Sequence, residues 1–94
     1  MKHSEFVNRM YDSGDAYINY ISPISKKLKY HIGTTDFSEK TSPYVANKWK
    51  AYQNKQEVNN TTVVVFCWDL DEFKYINLSQ VTSVIPLNQI IKQP

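Results

Sequence analysis

The 94-residue chain predicts an α+β fold, a small antiparallel, strongly twisted sheet or partial SH3/Sm-like barrel with two or three short helices. Three stretches carry that reading. "VVVFCWDLDEFKYINLSQVTSVIPL", residues 63–87, reads as strand, turn, strand and strand, and "SKKLKYHIG" alternates with the period of a half-buried strand. "SPYVANKWKAYQNK" opens with serine before proline, a helix-start signal. The length suits one domain spanning residues 1–94, with one modest core.

In chain order, "SEFVNRMYD" (4–12) predicts a short helix capped by Ser4, with Phe6, Met10 and Val7 on its inner face and Gly14 near its end. "DAYINYIS" fits a strand, Ala16, Ile18 and Tyr20 alternating with Tyr17, Asn19 and Ile21, or a continuation of that helix. In the next strand Leu28, Tyr30 and Ile32 take the buried positions, which turns His31 to solvent with Lys27 and Lys29. A loop leads to the helix begun by Ser42 and Pro43, where Val45, Trp49 and Tyr52 share a face. "NKQEVNN" is a polar connector. "TTVVVFCW" is the β-branched, aromatic run of a central strand. "DLDE" turns it into "FKYINLS", and "QVTSVI" adds a short strand. Pro86 opens a last helical turn with Leu87, Ile90 and Ile91 on its apolar side. Trp68, ending the β-branched run, belongs in or beside the core. Trp49, between Lys48 and Lys50, belongs nearer solvent.

Composition narrows the function classes. The chain is 41% hydrophobic and 21% charged, with aromatics at 14% and seven tyrosines. That is globular rather than disordered, and tyrosine serves both cores and interfaces. No apolar run approaches the roughly 20 residues of a membrane helix, and "MKHSEFVNRM" lacks the apolar centre of a signal peptide, so no membrane partner and a cytoplasmic location are expected. One cysteine forms no intrachain disulfide. Cys67, His3 and His31, widely spaced, fall short of the four ligands of a structural zinc site, so no metal and no cofactor is expected. Ten lysines against one arginine, with much Asn, Ile and Tyr and little Gly or Ala, mark an AT-rich genome such as that of a bacteriophage or a low-GC bacterium.

"CWDLDE" raises the question of a reactive centre. Asp69, Asp71 and Glu72 lack the further oxygen ligands and the glycine of a calcium loop. They suit a solvated hairpin turn, where charge also discourages edge aggregation. Cys67 stands among Phe66, Trp68 and carboxylates, neighbours that raise a thiol pKa, so it reads as a buried structural thiol. With no phosphate-binding glycine loop and no Ser/His/Asp set, the chain is read as non-enzymatic.

Residues 63–87 resemble the last strands of WYL-type domains, which have an SH3/Sm-like small β-barrel. Phe73, Ile76, Leu78, Val81 and Val84 match the apolar positions of that family, while Tyr75 and Gln80 stand where arginines occur in it. The resemblance implies a small twisted sheet or partial barrel and transfers no ligand.

Charge is uneven. Residues 23–55 hold seven lysines against Asp36 and Glu39. Two readings of function follow. The first is a binding or regulatory protein of phage-like origin that modulates or inhibits a host protein in the host cytoplasm, with oligomerisation through a strand edge open to it. The second is a nucleic-acid-binding module in which lysines meet phosphates and rings stack on bases. For either, the candidate binding residues are Lys26, Lys27, Lys29, Tyr44, Lys48, Trp49, Lys50 and Tyr52.

Overall fold

The computed structural model describes residues 1–87. It is α+β: helix α1 (His3–Ser13), strands β1 (Asp15–Ile21) and β2 (Leu28–Thr34), helix α2 (Pro43–Ala51), then strands β3 (Thr62–Cys67), β4 (Glu72–Asn77) and β5 (Val81–Pro86). A single 3₁₀ turn, Leu78–Gln80, joins β4 to β5. All pairings are antiparallel, in the order β4-β3-β2-β1-β5. The first four strands form a meander, and β5 crosses back to pair with β1. The sheet does not close into a barrel, so β4 and β5 are its edges among the described residues.

Register sets which side chains share a face, because antiparallel partners project to the same side. Ala16 faces Gly33, Gly33 faces Cys67, and Ile18 faces Val84. With Val63, Val65 and Ile76 these positions form one face, and α1 lies on it. Phe6 and Met10, one turn apart, are the buried residues of α1 and enter that cluster. Each such burial is worth about 1.5–3 kcal/mol. Gly14 ends the helix at φ 73°, a conformation that favours glycine, and its N–H donates to the Met10 carbonyl at 2.9 Å.

Helix α2 lies on the other face, at the β3–β4 side. Val45 joins Phe66 and Phe73 in a second cluster, with Phe37, Trp49, Tyr52 and Val64 against it. Ser42 caps α2 through its hydroxyl, which accepts from the Val45 N–H at 3.3 Å, an arrangement worth about 1 kcal/mol. Before it, the Asp36 carboxylate accepts from the Thr41 hydroxyl at 2.6 Å and the Ser38 N–H at 3.0 Å. Those bonds hold its pKa below the usual carboxylate range and brace the loop that brings α2 over the sheet.

The junction between β2 and β3 is short. Only Gly33–Cys67 and Thr34–Phe66 are in register there, extended by the Trp68 N–H donating to the Ile32 carbonyl at 2.7 Å. The β5-β1-β2 and β4-β3 portions therefore meet at Gly33. A Cβ on that residue would lie 2.5 Å from Val65 Cγ1 and 2.7 Å from the Phe66 carbonyl oxygen.

Several expectations need correction. Helix α1 begins at His3, and Ser4 lies inside it rather than capping it. Residues 15–21 take the strand alternative. Helix α2 stops at Ala51, where Tyr52 turns to extended backbone. Pro86 closes β5 rather than opening the last helical turn; Leu87 is helical, as expected, and Ile90 and Ile91 of that turn lie outside the described residues. The faces of β2 are reversed: Leu28 and Tyr30 are exposed, and the His31 side chain is only 14% exposed. Alternation distinguishes two faces, but the landing of α1 selects which is covered. It selected the face of Ala16 and Ile18, and His31 pairs with Ile18. The tryptophans are also exchanged. Trp68 is 41% exposed, whereas Trp49 is half-buried against Phe37, Tyr52 and Phe73.

Candidate functional site: an open sheet face and a polar cluster beneath its opposite side

Among the described residues, the face that carries α2 over β3 and β4 is uncovered over β5, β1 and β2. Ile85, Tyr17 and Ile32 form one row across it, with Trp68 beyond Ile32. Ser83, Asn19 and Tyr30 form the next, tied by the Asn19 side-chain N–H donating to Ser83 Oγ at 3.1 Å. Ile21 and Leu28 form the last. Tyr17 and Tyr30 pack with ring centroids 5.4 Å apart. Leu28 is 65% exposed, Tyr30 55% and Ile85 37%, so the rows face solvent. Asp15, the one charged residue on this face of β1, is engaged at its margin by the Trp68 indole N–H at 2.9 Å.

The residues expected to bind a partner do not form one surface. Lys26 sits in the β1–β2 turn at φ 60°, the Lys27 carbonyl accepts from Ser22 in the same turn, and Lys29 pairs with Tyr20 on the α1 side of the sheet. On α2, Lys48 reaches Asp71 at 3.3 Å and Lys50 reaches Glu39 at 3.7 Å. The Tyr44 hydroxyl donates to Asp71 at 2.6 Å, which with Lys48 holds that carboxyl below its ordinary pKa. Trp49 and Tyr52 stack on each other and pack tilted against Phe73, with Lys55 over the indole, so they serve the second core. The structure thus brings Tyr44 and Lys48 together at Asp71 and keeps the hairpin lysines on a different element. Sequence reasoning missed the open face because it placed Leu28, Tyr30 and Ile32 inside. The apolar pattern was visible, but not that α2 stops short of it.

On the other side of the sheet lies a polar cluster. Asp69 does not simply face solvent at the hairpin turn. Its Oδ1 accepts from the Ile32 N–H at 3.1 Å and its Oδ2 lies 3.0 Å from His31 Nδ1. Partial burial pushes its carboxyl upward, but those two bonds outweigh it and hold the pKa low. His31 Nε2 meets the Tyr20 hydroxyl at 3.0 Å, and the two rings stack with centroids 5.2 Å apart. The carboxylate can only accept, so Nδ1 carries the proton, and in the neutral ring Nε2 accepts from the phenol. Burial, reinforced by Cys67, raises the Tyr20 pKa and keeps that phenol protonated. Cys67 is fully buried beside the cluster, and burial with Asp69 pushes its thiol up to about 12. As it stands this thiol is no nucleophile.

No family model, curated protein or solved structure matches the chain. Fold and geometry define its class: among the described residues, an open five-stranded antiparallel sheet with α1 on one face, α2 on the other, and part of the α2 face left bare. No helix among the described residues is long and apolar enough to cross a membrane.

Proposed function

We propose that the protein is a non-enzymatic binding module that docks another protein on the open β5-β1-β2 face. Its composition suggests the setting, a phage-encoded modulator or inhibitor of a host protein in the host cytoplasm. The observation that carries the reading is the bare face itself, where Tyr17, Tyr30 and Trp68 stand among Ile32, Leu28 and Ile85. Aromatic anchors among aliphatics, with charge confined to the margin, are the makeup of an interface core. Contiguous apolar surface on a soluble chain marks an interaction site. The partner that fits is a protein with an uncharged apolar patch.

The test compares wild type with a Leu28→Ser/Tyr30→Ser variant. Both residues are more than half exposed, so the two substitutions together are expected to cost about 1 kcal/mol and to lower the melting midpoint by about 4–8 °C, leaving the chain folded at the assay temperature. From a nuclease-treated bacterial lysate, wild type is expected to retain one stoichiometric protein, and the variant to lose it at least tenfold. Retention by both, or no protein retained by wild type, overturns the reading. Light scattering on the isolated chain tests the same face as a self-association surface.

A second reading, single-stranded nucleic acid, has one observation in its favour. Tyr17 and Tyr30 lie on an open sheet near a hairpin carrying Lys26 and Lys27, and stacking rings beside cations bind single strands. Among the described residues the face offers no cation, and Lys29 projects to the opposite side, which ranks this reading second. It requires affinity that falls steeply with salt, and a flat dependence removes it.

A further inference from the structure

The geometry points to a divalent-metal site of the zinc type formed by His31, Cys67 and Asp69, independent of the docking face. One ligand atom from each of the three lies within 4.8 Å of the other two. No two of the three are in one strand: His31 comes from β2, Cys67 ends β3, and Asp69 lies in the turn after it. Sequence spacing therefore concealed the set, which differs from Cys67, His3 and His31 by substituting a carboxylate for the distant histidine.

The donor types select the ion class. Thiolate, imidazole and carboxylate together suit zinc and its borderline-soft neighbours, whereas calcium and magnesium take oxygen. Bond lengths of about 2.0–2.1 Å for nitrogen and oxygen and 2.3 Å for sulfur place tetrahedral ligands about 3.3–3.6 Å from each other. His31 Nδ1 and Asp69 Oδ2 stand 3.0 Å apart already. No separation in the set exceeds 4.8 Å, so reaching the tetrahedral figure takes a contraction of at most about 1.2 Å.

The surroundings match those of metal ligands. With the ion on Nδ1, the proton moves to Nε2, and His31 donates it to the Tyr20 hydroxyl that already sits there. A ligating histidine ordinarily has such a partner on its other nitrogen. The Ile32 N–H fixes the second oxygen of Asp69. On binding, Cys67 gives its thiol proton to the buffer and coordinates as thiolate. The site opens to solvent at the Asp69 side chain, which is 28% exposed, and a neighbouring cavity of about 250 Å³ is lined by His31 and Tyr20 but by neither Asp69 nor Cys67. Three protein ligands leave a fourth position for water or another small ligand. Lys74, which also lines that cavity, opposes a cation, but it is paired with Glu72 at 3.6 Å.

Cobalt(II) titrated into the chelator-treated full chain tests the site. The expected result is a thiolate-to-cobalt charge-transfer band in the near ultraviolet with strong tetrahedral bands in the visible, saturating at one equivalent and bleached by zinc. Asp69→Asn and His31→Gln, each checked for retained circular dichroism, are expected to weaken cobalt at least 100-fold, and Cys67→Ala to remove the charge-transfer band. Tyr20→Phe, acting through His31, is expected to weaken it about tenfold. The proposal is overturned if wild type shows no charge-transfer band, or if the band survives with unchanged affinity in Asp69→Asn and His31→Gln. Those two variants decide the matter even if Cys67→Ala fails to fold.

Discussion

Phe66→Ala is expected to destabilise the protein by about 3–5 kcal/mol, the range for removing a fully buried phenylalanine. Domains have only about 5–15 kcal/mol in total, so the variant should be largely unfolded at moderate urea. Phe66 is the hub of the second core. Its ring meets Phe73 and Trp68 edge-on at 5.0 Å and Tyr44 at 6.3 Å. Its removal opens a cavity between β3 and α2 that rings of fixed shape cannot fill. Urea unfolding followed by circular dichroism measures the effect, and Trp68→Ala supplies the comparison. Trp68 is 41% exposed and should cost distinctly less. A loss below about 1.5 kcal/mol for Phe66→Ala would show that α2 is not held by this cluster.

Gly33→Ala is expected to cost about 3 kcal/mol, the upper end for overpacking, although it adds a single methyl. That methyl would stand 2.5 Å from Val65 Cγ1 and 2.7 Å from the Phe66 carbonyl oxygen. Val65 is fully buried and the carbonyl belongs to the backbone, so neither can withdraw cheaply. The cost falls where β2 and β3 have only two pairs in register, at the seam of the sheet. The double variant Gly33→Ala/Val65→Ala should be more stable than the sum of the two single losses allows, because truncating Val65 removes one of the two clashes. Additive losses would place the strain elsewhere. Amide exchange should show β3 losing protection first in Gly33→Ala.

The sheet is open at both edges among the described residues. The Tyr75 hydroxyl bonds the Gln56 backbone at 2.6 Å, bracing the connector before β3. Nothing in that contact suggests a ligand.

The sequence alone determined the fold class and most of the elements, leaving residues 15–21 open between strand and helix. Phe6 and Met10 one turn apart, Ser42 before Pro43, the β-branched run "TTVVVFCW", whose strand stops one residue earlier at Cys67, and the turn at "DLDE" each specify local structure through nearby atoms, and each stands in the structure. The buried, protonated state of Cys67 was legible in the same way, from Phe66 and the carboxylates beside it. Only the tertiary structure decided which faces are covered. Leu28, Tyr30 and Ile32 carry the apolar pattern of an inward strand face, yet α1 settled on the opposite side and α2 on β3 and β4. A period of two sorts side chains into two sets and contains no information about which set a helix will meet. Trp49 and Trp68 exchanged roles for the same reason. The meeting of His31, Asp69 and Cys67 was equally hidden, because the β2–β3 register joins residues more than 30 positions apart, and long-range pairing leaves no mark on local spacing.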